Sequence, residues 1–188
     1  MILIKRSIEN IKESKWFNIQ KTLHSFILQD GSTYNNERDF IKTGNSVSCF
    51  IRCKKEEKCL LIKQFRPSLT INLGIDSSWI LENVAGMKEE NESIEECSIR
   101  EIQEETGLVV YKNQISNIQK IAVSPGLISE ISYIVTVDVE ETQELHVSGL
   151  EKESEKTYPQ WYSYNDVKKL ISQGLIIDAK TLIGVYRI

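Results

Sequence analysis

Cysteine pairs, histidine and proline are all scarce in this sequence of 188 residues. Its four cysteines, Cys49, Cys53, Cys59 and Cys97, lack CxxC spacing, and two of them fall in or beside an apolar run. That favours reduced core thiols over a zinc site or a disulfide framework. The two histidines, His24 and His146, sit in no motif, and three prolines punctuate a chain without repeats or low-complexity tracts. No stretch approaches the roughly 18 consecutive apolar residues of a membrane span. Charges at Lys5, Arg6, Glu9, Lys12 and Glu13 interrupt every apolar run at the start, so no secretory segment is expected there. A basic excess is also missing. The 23 Lys and Arg stand against 27 Asp and Glu, a formal net charge of -4, which argues against nucleic acid as the main partner. A cytoplasmic protein without a membrane partner is the expectation.

A hydrophobic fraction of 40% over this length supports one well-buried core. The division expected is an N-terminal strand extension over residues 1–43 and a main domain over 44–188. Asp30-Gly31, after two apolar stretches in residues 16–29, predicts a hairpin turn. Strands are predicted over 46–52 and 58–65 as a pair, 79–84, 115–123, 131–139 and 158–162, with a loop over 67–78 and a turn at Gly86. Residues 140–157 read as a polar loop, and 165–173 and 178–186 as helices. Strands and helices in this order imply a mixed α/β sandwich with hairpins dominant.

The clearest helix lies between Ser93, with Glu96 three residues on as a capping box, and Gly107, placed for a left-handed C-terminal cap. At about 100° per residue, Glu101 and Glu105 share a face with Ile94 and Ser98, and Glu104 lies beside them. Three carboxylates thus gather where the helix dipole already disfavours anions. Two readings follow. The run is a solvated face tied by Arg100, or it holds a hard divalent cation.

The wider spacing separates these readings. Gly86, five residues, Glu92, seven residues, then Arg100-Glu101-Ile102-Gln103-Glu104-Glu105-Thr106-Gly107-Leu108 resembles the Nudix box at every position. The resemblance implies a Nudix-type α/β/α sandwich with a mixed sheet and an N-terminal β extension. It also implies Mg2+, with Mn2+ as a substitute, held by Glu101, Glu104, Glu105 and the backbone carbonyl of Ala85. Glu92 and Arg100 would fix the loop and helix, and Gly86 and Gly107 would allow backbone geometry that a side chain obstructs.

Outside the box, Leu61-Ile62-Lys63-Gln64-Phe65-Arg66, Glu82-Asn83-Val84-Ala85-Gly86, Ser124-Pro125-Gly126 and Ser129-Glu130 resemble ADP-ribose pyrophosphatases and their nucleotide-sugar relatives. By that resemblance Arg66, Glu82, Gly86, Pro125 and Gly126 bind substrate, and Arg38 reaches the nucleotide across a homodimer formed by strand exchange. The catalytic base would be Glu153 or Glu155, in an acidic loop, with Glu104 a further candidate. The activity implied is hydrolysis of ADP-ribose to AMP and ribose 5-phosphate. GDP-mannose or a UDP-sugar is the alternative, and a non-catalytic nucleotide-sensing module a further one. Pro125 lies 17 residues beyond Leu108, farther than the ADP-ribose group's spacing. Trp16, Trp79 and Trp161 are core aromatics or base-stacking platforms.

Overall fold

Alternation of apolar and polar residues along the strands, broken by one capped helix, carries into a computed structural model of the protein, which describes residues 2–13 by their backbone path, 17–146 and 156–187. The chain divides into two units, residues 1–45 with 122–131, and residues 46–121 with 132–188.

In the first unit, β1 (Ile2–Glu13), β2 (Asn18–Ile27) and β3 (Thr33–Lys42) form an antiparallel sheet in that order. The hairpin expected at Asp30-Gly31 is present. Gly31 takes φ 80°, a conformation open to a residue without Cβ, and Asp30 Oδ1 accepts from the Ser32 N–H at 3.0 Å. The segment 122–131 is tied to the end of β3. Ile41 N–H donates to Leu127 O at 2.8 Å, and Thr43 N–H to Ser129 Oγ at 2.9 Å.

The second unit is built on a mixed sheet. Its strands are β4 (Ser46–Cys53), β5 (Lys58–Phe65), β6 (Trp79–Glu82), β7 (Val84–Met87), β8 (Ile115–Ala122), β9 (Ile131–Val139) and β10 (Thr157–Ser163), with the main path running β10-β5-β4-β9-β8. β4 and β9 run parallel, whereas β10 with β5, β4 with β5, β4 with β7 and β5 with β6 are antiparallel. Period-two alternation separates two cores. Val47, Cys49, Ile51, Leu60 and Ile62 face α2 (Ile94–Thr106) through Cys97 and Ile102, while Phe50, Cys59 and Leu61 face α3 (Tyr164–Ser172) and α4 (Ala179–Val185) through Val167 and Val185. The layers are the helix, sheet, helix sandwich expected from sequence. All four cysteines are buried free thiols within it.

One departure positions the functional residues. Strands 46–52 and 58–65 pair as expected, but β4 and β5 meet only from Ile51 opposite Leu60 to Cys53 opposite Lys58. Beyond that they splay. The fork is filled by the segment expected to be one strand, which is two: β6 pairs with β5, and β7 with β4. Asn83 joins them. Its N–H donates to Thr181 Oγ1 at 2.8 Å and its Nδ2 to Ser48 Oγ at 3.1 Å, and Thr181 is held by Asp178, the N-cap of α4. Gly86 is consequently inside a strand, in register with Val47, and not in a turn. The loop over 67–78 carries a short helix, α1 (Thr70–Leu73).

Candidate active site

Local chemistry builds α2 as the sequence implies. Ser93 Oγ accepts from the Glu96 N–H, the Glu96 carboxylate accepts from the Ser93 N–H, and Gly107 closes the helix at φ 73° with its N–H on Gln103 O at 2.9 Å. Between these caps, the face bearing Ser98 and Glu105 turns inward: both are buried, and the Glu101 side chain is only 12% exposed. A solvated face does not describe Glu101 or Glu105. It is closer for Glu104, at 33%.

The inward face meets the fork. Glu105 Oε2 accepts from the Ala85 N–H at 3.1 Å. The Glu101 carboxyl lies on the Cα of Gly86 so closely that a Cβ built there would fall 1.9 Å from Glu101 Cδ. Gly86 is glycine for space, not for torsion. Arg100 gathers the acids. It makes a two-point bond to Glu92 at 2.8 and 3.0 Å, and donates from Nη1 to Glu101 Oε1 at 2.8 Å and to Glu104 Oε2 at 3.0 Å. Its guanidinium holds Glu92 down at about 2. Burial pushes the Glu101 carboxyl above its ordinary value even with Arg100 opposing.

The donors offered here, three carboxylates and the Ala85 carbonyl, are hard oxygens of the kind a divalent cation takes. Among the described residues no three acidic, thiol or imidazole groups converge as a finished cation site. Arg100 draws Glu101 and Glu104 to itself, and the Ala85 N–H holds Glu105. In donor chemistry and in crowding of negative charge the cluster fits a cation, which would relieve the burial cost on Glu101.

On the same sheet face, Arg66 Nε donates to Glu82 Oε1 at 2.7 Å, and Glu82 is only 2% exposed. Burial raises the Glu82 carboxyl above 4.5, with Arg66 partly offsetting it. Arg66→Met would strand that carboxyl, at an expected cost of about 2 kcal/mol. Because the folded state then keeps a proton that the unfolded chain releases, stability should fall as pH rises above 4.5, more steeply than in the parent protein. Melting temperature against pH reads this, and the double variant Arg66→Met with Glu82→Met should recover the loss.

Arg38, Pro125 and Gly126 are exposed and belong to the first unit, and a Cβ at Gly126 would meet only open space. Glu153, Glu155 and Trp16 lie outside the described residues. Trp79 opposes Phe65 and packs on it at a tilt on the sheet face away from Arg66, whereas Trp161 packs against the α2 core and donates to Gln143 O at 3.0 Å. Sequence reasoning missed two anchors at the end of α2. Thr157 Oγ1 donates to Glu105 O at 3.1 Å, and His146 N–H to Thr106 O at 3.0 Å. Neither residue carries a local signal, since both act through contacts distant in sequence.

Comparison with known proteins adds to this geometry. A family model described as NUDIX domain matches residues 42–181. GDP-mannose pyrophosphatase of Yersinia enterocolitica serotype O:8 / biotype 1B is 29% identical over 182 residues, spanning 93% of this chain and 91% of its own. GDP-mannose pyrophosphatase of Escherichia coli O1:K1 is 24% identical over 175 residues, spanning 93% and 89%. A crystal structure of an ADP compounds hydrolase superposes with a TM-score of 0.68 at 18% identity, covering 99% of this chain and 93% of that one, and shares the fold.

Proposed function

The chain belongs to the NUDIX family and is a hydrolase of that family, and from this premise we propose that it cleaves the diphosphate bridge of nucleotide sugars, GDP-mannose first and ADP-ribose second. That order reverses the expectation from sequence. It is supported by relatives that span 93% of the chain and are named for GDP-mannose, and by the long interval between Leu108 and Pro125. The observation that carries the reading is the buried carboxylate face of α2, seated on the backbone of Ala85 and Gly86.

Nudix hydrolases use divalent metal ions, and magnesium, with manganese as a substitute, is the ion assigned to Glu101, Glu104, Glu105 and the Ala85 carbonyl. Bound there, it supplies charge neutralisation of the diphosphate and acidification of a water. Arg66 binds diphosphate oxygens or the terminal sugar, aimed by Glu82. Glu153 or Glu155, with Glu104 as a further candidate, takes the proton of the attacking water. Attack on one phosphorus breaks the bridge into two monophosphates, GMP and mannose 1-phosphate from GDP-mannose. The roles of Arg38, Pro125 and Gly126, the homodimer and a cytoplasmic location belong to the same proposal. No helix among the described residues is long and apolar enough to cross a membrane.

A panel of GDP-mannose, ADP-ribose and UDP-sugars with Mg2+, read by product identity, tests the reading. The highest kcat/KM is expected for GDP-mannose with release of GMP. Faster release of AMP from ADP-ribose would restore the other order, and inert protein that binds nucleotide tightly would make it a sensing module.

A further inference from the structure

Gln64 stands in the segment that resembles the nucleotide-sugar enzymes, yet nothing above gives it a task. It is 3% exposed, and among the described residues its side-chain Oε1 has no hydrogen-bond partner. An orphaned buried amide carbonyl costs about 1–3 kcal/mol, so a protein that keeps one either wedges it structurally or uses it.

Placement decides between these. Leu60, Ile62, Gln64 and Arg66 alternate along β5 and its end, so Gln64 shares the sheet face that Leu60 and Ile62 present to α2. On one side it is in register with Thr157, whose hydroxyl holds the Glu105 carbonyl. On the other it opposes Ile80, and the next inward pair on those strands is Ile62 with Glu82, the partner of Arg66. Gln64 thus lies between the carboxylate end of α2 and the Arg66–Glu82 pair. Among the described residues of this unit, the other buried amide with an orphaned carbonyl is Asn83, which differs in placement. Its Nδ2 is bonded to Ser48 and Lys180, and it meets Phe50 and Gly184 on the opposite face.

We propose that Gln64 is a substrate-site residue, its Oε1 accepting an O–H hydrogen bond from the bound complex, either a water on the cation or a sugar hydroxyl. The inference rests on the diphosphate-hydrolase reading above. It predicts opposite signs for stability and function, which a purely structural glutamine would not give.

Gln64→Met tests it, because methionine has similar length and no polar atom to strand. Melting of the metal-free variant is expected about 2–4 °C above the parent, while kcat/KM for GDP-mannose with Mg2+ falls at least tenfold. A raised half-saturating Mg2+ concentration would identify the metal-bound water, and a raised KM for GDP-mannose at unchanged Mg2+ dependence the sugar hydroxyl. A variant that melts lower than the parent or fails to fold, or that keeps kcat/KM within threefold, overturns the inference. Parent protein inert on the whole panel sinks the earlier reading instead, so the two failures are distinct.

Discussion

Gly86→Ala is expected to leave the protein folded and to reduce kcat/KM by about a hundredfold, since misplacing a catalytic group by an ångström can cost that much. The added methyl would stand 1.9 Å from Glu101 Cδ and as close to both its oxygens. What it strikes is the far end of a flexible side chain, so the fold yields at little cost by swinging that carboxyl away. Melting within a few degrees of the parent, a large activity loss and a raised Mg2+ requirement are the joint signature. Retained activity would mean that the Glu101 position seen here is not the working one. A collapse in stability would instead make Gly86 a backbone requirement, which its strand register argues against.

Glu105→Gln should be at least as damaging to turnover for a different reason. The glutamine carbonyl can still accept from the Ala85 N–H, so the seat of the helix on β7 survives. What disappears is a negative oxygen for the cation, a loss of about 3 kcal/mol in transition-state stabilisation, or roughly hundredfold in kcat. Circular dichroism and melting should match the parent, and isothermal titration with Mn2+ should show weakened binding. Undiminished turnover would return Glu105 to a structural role at the junction of α2 and the sheet.

How much of this was readable from residue order depends on the range of the interaction. Ser93, Glu96 and Gly107 act within one turn of helix, and their spacing announced both ends of α2. The inward cant of Glu101 and Glu105 was half visible. Their common helical face follows from the 100° period, and the box spacing favoured a cation over a solvated face, but what that face rests on depended on Ala85 and Gly86 of β7. Gly86 was marked by spacing as a place where a side chain would obstruct, but it was expected in a turn and lies in a strand, and the contact that demands glycine comes from another element. The splaying of β4 and β5 was invisible. The fork is filled by β6 and β7, whose junction at Asn83 bonds Thr181 across 98 residues, and no local pattern encodes that. Thr157 and Gln64 are ordinary strand residues by type, and only the register between β5 and β10 sets Gln64 opposite the threonine that holds the Glu105 carbonyl.

The wedge of β6 and β7 has a bearing on how such an enzyme diversifies. Glu82, which aims Arg66, and Ala85 with Gly86, which seat the acidic helix, are neighbours on one short length of backbone pinned at Asn83. The connection over residues 67–78 enters that wedge from outside, exposing Ile71 and Ile75. A change in the length or composition of this connection can therefore be absorbed at its exposed side, leaving the short backbone that seats Glu82, Ala85 and Gly86 pinned at Asn83.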